Sequence, residues 1–231
     1  MSDDVTGVFV LPGFRVVASE VLAGEWHLQV ETRRVPTGCP TCGAVARVKD
    51  RRTVFVRDLP AGGVPVVIRW CKRVFECRYA LCEMKTWTEQ HEAIASRTVL
   101  TERAQQWAFE QVGHHDRAVS RVAAQLGVSW HTIMTQVLHR GAPLIDDQDR
   151  LTGVTAVGVD ETSFLRATGT RHTQYATGIA DLTSGRPPRL LDVVPGRSGR
   201  VLGDWLTGRD EAWRAALVTA SLDPFRGYAT A

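Results

Sequence analysis

The sequence predicts an α+β protein built from several modules, and three observations carry that prediction. Two close pairs of cysteines sit in a strand-patterned, basic stretch; two short helical segments joined by a glycine follow; and from Val154 onward strands alternate with short helices. With 231 residues, 44% hydrophobic and 23% charged, the chain can bury one sizeable core and one or two small modules. No run of about 18 apolar residues offers a membrane span. The N-terminal MSDDVTG lacks a basic-then-apolar leader pattern, so a cytoplasmic location without a membrane partner is the expectation. In that reducing compartment five cysteines favour metal or thiol chemistry over disulfides.

Taken in order, FRVVASEVL and WHLQVETRR alternate around AGE and predict a β-hairpin. TVFVRDL and VPVVIRW, separated by PAGG, predict two more strands. Thr101 suits the N-cap of a helix over LTERAQQWAFEQV that HHD closes, and a helical pair is expected from about Arg117 to Arg140. The acidic, turn-rich GAPLIDDQDRLTG reads as a linker. Beyond it, VTAVGVD is expected to form a strand ending at Asp160. Strands in HTQYATGIADL and RLLDVVPG, helices in SGRVLGDWL and DEAWRAAL, and a fourth strand, VTASLD, ending at Asp223 complete the pattern. Three hairpin-connected strands, then helix, then strand is the opening order of an RNase H-like domain.

Cys39 and Cys42 form CPTC, and Cys77 and Cys82 form CRYALC. Short loops between paired cysteines let four thiolates converge on one tetrahedral Zn2+ ion, a structural site because no coordination position stays open. Pro40 and Gly43 supply the turn. Cys71 lies inside a predicted strand and is expected to be a small core residue.

Net charge is only +3, but between Arg33 and Lys85 twelve basic residues face four acidic ones. That excess suits a surface meeting phosphates, with a solvated basic face as the alternative. In RAVSRVAAQLGVSWHTIMTQVLHRG, the apolar spacing places Val119, Val122, Ala123 and Leu126 inward on the first helix and Ile133, Met134 and Val137 inward on the second. Gly127 permits a tight turn and Ser129 an N-cap, the pattern of a helix-turn-helix. Ser129, His131, Thr132, Thr135 and Gln136 are then candidates for the major groove of double-stranded DNA. Trp130 is ambiguous: periodicity puts it with the apolar face, yet it lies in the first turn, where base contacts are made.

Asp160 and Glu161 are adjacent, so strand alternation sends their side chains to opposite faces and only one can line a given site. Asp160 is the choice. In an RNase H-like sheet the first and fourth strands lie side by side, which is expected to bring Asp160 and Asp223 together as a catalytic pair sharing Mg2+, an ion that favours oxygen ligands. Asp192 could flank them, although a salt-bridge role suits it better.

The order of these parts, CPTC, basic strands running into C-x4-C, the helix-turn-helix, VGVDE, LLDVVPGR and LDPFRGY, resembles the DDE transposases of bacterial insertion sequences of the ISL-three type. That resemblance implies an N-terminal zinc-binding domain, a DNA-binding helix-turn-helix and an RNase H-like catalytic domain. Asp160 in GVDE matches the first catalytic aspartate and Asp223 in LDPFRGY the second, although family members carry a later aspartate that competes for that role. The implied modules are residues 1–98, a β-hairpin plus zinc-binding module; 99–141, the helical DNA-binding region; 142–153, a linker; and 154–231, an incomplete catalytic domain. Family chains continue to a catalytic glutamate that this sequence does not supply. The resemblance therefore implies a truncated, catalytically impaired transposase acting on terminal inverted repeats, or a non-catalytic DNA-binding relic or inhibitor. An uncovered fourth strand would offer an edge for a homo-oligomer.

Overall fold

A computed structural model describes residues 11–222, and the chain divides into two compact units after Leu144. The first unit is built on a sheet in which β1 (Phe14–Leu22), β2 (Glu25–Thr32), β4 (Val64–Glu76) and β3 (Arg47–Ala61) lie in that order, with β5 (Thr86–Thr88) also on β4. The first hairpin turns through Ala23 and Gly24, as AGE predicted. The second turns through Gly62 and Gly63, whose φ angles of +60° and +80° are the pair that a two-residue turn matched to strand twist requires. β3 begins at Arg47, well before the apolar TVFVRDL, because its charged first half pairs with β4 from Arg47 opposite Glu76 to Arg52 opposite Lys72, with one bulge at Lys49. Backbone pairing extends the strand where side-chain pattern gives no signal. Leu28, Val30, Val56, Ile68 and Trp70 form the core on one face.

Thr101 caps α1 (Glu102–Gly113), accepting from the Ala104 N–H at 3.3 Å. The same hydroxyl donates to Asp58 on β3 at 2.5 Å, and Asp58, wholly buried, also accepts from Arg103 Nε at 2.9 Å. One carboxylate thus ties the helix start to the sheet. α2 (Val119–Leu126) and α3 (Trp130–Ile145) complete the unit, with Leu100, Ala104, Ala108, Val122, Leu126 and Ile133 buried together. α3 runs past Arg140 through Pro143 to Ile145, and a 3-10 turn spans Gln148–Leu151 where a linker was expected. Pro143 lacks the N–H that would bond the carbonyl four residues back and crowds that carbonyl, but it stands in the last turn of α3, so the disruption falls at the helix end and not at Arg140, where the turn signal predicted the stop.

In the second unit β6 (Ala156–Leu165), β7 (Gln174–Asp181) and β8 (Arg189–Pro195) form an antiparallel meander. Two helices follow, α4 (Gly199–Thr207) and α5 (Glu211–Ala215), and β9 (Thr219–Leu222) returns parallel to β6. The strand order β8-β7-β6-β9 is that of an RNase H-like sheet, with the first and fourth strands adjacent. Val157, Val159, Ile179, Leu191, Leu202 and Trp205 form its core. β6 does not end at Asp160 but continues to Leu165, because residues 161–163 pair with residues 175–177 of β7 and prolong the hairpin.

Candidate metal centre and nucleic-acid interface

The four predicted zinc ligands converge. A tight turn closed by the Gly43 N–H donating to the Cys39 carbonyl at 2.9 Å presents Cys39 and Cys42, and residues 77–82 close a second turn through Cys82 N–H to Tyr79 O at 3.0 Å. Gly43 adopts φ +73°, which a side chain would strain. The sulfurs of Cys39, Cys42, Cys77 and Cys82 all lie within 4.8 Å of one another, Cys39 being 3.7 Å from Cys82 and Cys42 3.6 Å from Cys77. Four sulfurs each about 2.3 Å from a tetrahedral zinc stand about 3.8 Å apart, so the set fits that ion. Burial raises the Cys39 thiol, yet the N–H groups of Cys42 and Thr41 and the neighbouring thiols outweigh it and bring its pKa down to about 7. Burial, followed by Cys42, pushes Cys82 up to about 12. Crowded thiols cannot all ionise without a cation between them. Cys71 stays outside the cluster, half-buried in β4 opposite Thr53 rather than in the core as expected.

The helix-turn-helix has most of the predicted inward face, with Val122, Ala123, Leu126 and Ile133 buried and Val119 and Val137 packed against them; Met134, expected inward, is only half-buried and stands outside this cluster, because it follows Ile133 and lies about 100° around the helix from it. Gly127 ends α2 in the left-handed region at φ +64° and ψ +38°. Ser129 Oγ accepts from the Thr132 N–H at 3.2 Å and lies 2.9 Å from the Thr132 hydroxyl, so both side chains serve the helix start. His131 and Thr135 are exposed, Thr132 and Gln136 half-buried. The Trp130 ambiguity resolves outward: its ring is 47% exposed and meets His131 edge to face at 5.3 Å.

In the second unit, alternation separates Asp160 from Glu161 as expected. Asp160 is exposed, stands opposite Gly178 on β7, and its Oδ1 accepts from the Glu161 N–H at 2.8 Å. Glu161 turns to the other face, where Arg197 Nε meets its carboxylate at 2.7 Å. Asp223 lies outside the described residues. The strand leading to it pairs in parallel with β6, Leu222 standing opposite Val159, and each of these residues directly precedes one of the two aspartates. Asp192 makes no salt bridge among the described residues; it accepts from Trp205 Nε1 at 2.8 Å, because alternation turns it towards α4.

Comparison with protein families adds the deciding observation. A model described as the zinc-finger of transposase IS204/IS1001/IS1096/IS1165 matches residues 36–82, the helix-turn-helix domain of transposase family ISL3 matches residues 89–141, and a transposase domain of the DDE type from the same family matches residues 157–231. The chain belongs to the ISL3 transposase family. A search of curated proteins gives no match. The three ISL3 segments coincide with the cysteine cluster, the helical pair and the RNase H-like strands, so this chain carries a zinc ribbon, a DNA-binding domain and DDE transposase strands in family order. Among the described residues no helix is long and apolar enough to cross a membrane.

Beyond the residues predicted from sequence, Arg117, Ser120 and Arg121 lie exposed at the start of α2 of this ISL3 chain, where the first helix of such a motif meets backbone phosphates. The apolar spacing that located the helix carried part of this information, since it leaves Ser120 and Arg121 off the stripe of Val119, Val122, Ala123 and Leu126. Asp181 was also missed. It is buried at the end of β7 with Arg186 at 2.7 Å and Arg189 at 3.1 Å, and nothing in its sequence context distinguishes it from a turn aspartate.

Proposed function

We propose that this polypeptide binds the terminal inverted repeats of an insertion sequence and supplies two carboxylates of a DDE-type strand-cleavage and transfer site. In this reading α3 enters the major groove, with Trp130, His131, Thr135 and Gln136 reaching base edges while Ser129 and Thr132 hold the helix start. Asp160 and Asp223 would hold Mg2+, whose two ions, when bound, activate an attacking oxygen and stabilise a leaving one at phosphorus. The donor chemistry suits that ion: carboxylate oxygens on an accessible strand face, opposite a glycine that adds no side chain beside Asp160. The Glu161 N–H orients one oxygen of Asp160, and the exposed remainder of the carboxylate is available as a ligand. The observation that carries this proposal is the parallel pairing of β6 with β9, Val159 opposite Leu222.

Linear duplexes taken from the DNA flanking this coding region, incubated with the protein and Mg2+ or Mn2+, test it. Retarded bands and nicked strands are expected, and Asp160→Ala should keep the retardation and lose the nicking. If that variant nicks at the wild-type rate, the catalytic assignment is wrong. Retardation with no strand break under either metal would leave a protein that occupies the repeats without cutting them.

A further inference from the structure

The first half of β3 is an open, cationic edge. All residues from Arg47 to Phe55 are exposed, and β3 is the outermost strand of its sheet. At Arg57 the edge is covered, since the Arg57 N–H donates to Val99 O at 2.8 Å and its carbonyl accepts from Thr101. No such cover lies over residues 47–55 among the described residues. Arg47 is held by Glu76 at 3.1 Å, but Lys49, Arg51 and Arg52 form no ion pair among the described residues, and the Asp50 carboxylate is turned back onto the Arg51 N–H at 2.7 Å. Lys72 and Arg73 stand opposite Arg52 and Arg51, so β4 supplies no acid at this point either. Further along the same strand, Arg57 reaches the turn of the helix-turn-helix: a Cβ at Gly127 would lie 2.6 Å from its Nη1. Arg51 is six residues from Arg57 along β3, about 20 Å at 3.4 Å per residue.

We infer that Lys49, Arg51 and Arg52, on the open edge of β3, contact the phosphate backbone of double-stranded DNA beyond the segment read by α3. This rests on the proposed docking of α3. Long side chains leaving either face of an edge strand can reach around that edge, and a row of cations with no acidic partner is complementary to a row of phosphates. A span of about 20 Å corresponds to about six phosphates along one strand, so the edge would lengthen the contact by about half a turn of duplex. Phosphate contacts position the protein and carry no base information, which gives the inference a distinct signature.

The experiment uses the full chain with its zinc. Affinity is measured by fluorescence anisotropy against salt concentration, on a flank-derived duplex and on an unrelated duplex of equal length. The triple variant Lys49→Gln, Arg51→Gln, Arg52→Gln should bind both duplexes more weakly by a similar factor, on the order of tenfold or more at low salt. Its log–log salt slope should be shallower by about 2 to 3, close to 0.9 for each lost phosphate contact. Zinc content and melting temperature should match wild type, since all three side chains are exposed. Unchanged affinity and slope would overturn the inference and leave these charges as guards against edge-to-edge aggregation, which turbidity of the variant would then report. His131→Ala with Gln136→Ala separates the two readings. It should erase the preference for the flank duplex with little change in slope; if it erases nothing, the docking of α3 is what fails.

Discussion

Gly127 shows how much one position can decide. Its φ of +64° costs an L side chain about 1 to 2 kcal/mol. A Cβ there would also lie 2.6 Å from Arg57 Nη1, which pairs with Glu25 at 2.6 Å. Gly127→Ala should therefore destabilise the first unit by roughly 1 to 3 kcal/mol, read as a lower denaturation midpoint, and weaken DNA binding by changing the angle at which α3 leaves the turn. A midpoint equal to wild type would show that neither the left-handed backbone nor the approach of Arg57 costs the fold anything. The left-handed turn was legible from LGVS alone. Its contact with an arginine 70 positions earlier was not, because sequence spacing carries no information about which strand a turn will touch.

At the scale of elements, the two cysteine turns have almost no apolar core of their own. Leu81 is 82% exposed and Val45 74%, while of the four cysteines only Cys39 and Cys82 are buried. Two short turns that bury so little must be closed by their metal. Removal of zinc by a chelator should unfold residues 38–46 and 77–85, seen as fast amide exchange there, while the β1–β4 core around Val30, Ile68 and Trp70 keeps its protection. Protection lost across the whole sheet would show that the ribbon nucleates the unit. Most elements were legible from period and caps: both hairpins, α1 with its Thr101 cap, the helical pair, and the strand-strand-strand-helix-helix-strand run of the second unit. The early start of β3, the extension of β6 past Asp160 and the persistence of α3 through Pro143 were not. Each is a stretch whose backbone partners, not its own side chains, settle its conformation.

Across the whole molecule the second unit has a pH limit written into it. Burial raises the Asp181 carboxyl, but the Thr183 hydroxyl and N–H, then Arg189 and Arg186, more than offset this and hold it below the usual carboxylate range. A carboxylate whose pKa is lowered on folding contributes stability that is complete above its unfolded value, near 4, and disappears as the pH falls through the folded value. The second unit should thus lose stability below about pH 4. Asp181→Asn should lower the melting temperature at neutral pH and flatten the acid limb of a melting-temperature profile; a variant that keeps the wild-type acid limb would place the sensitivity elsewhere. Glu89 in the first unit is lowered in the same direction: burial opposes the shift, and Arg73 and Thr32 overcome it.

What sequence alone determined was the order of the modules, the four converging sulfurs, most of the inward face of the helix-turn-helix and the opposed orientations of Asp160 and Glu161. All of these follow from short-range periodicity, from 3.6 and 2 residues and from the reach of a tight turn. Only the tertiary structure decided the register of β9 on β6, that Asp58 anchors the start of α1, that Trp130 faces solvent, and that the first half of β3 is an uncovered cationic edge. Those features depend on pairings between residues far apart along the chain, which are chosen by the burial of a shared core and by satisfaction of backbone hydrogen bonds, quantities that no local pattern contains.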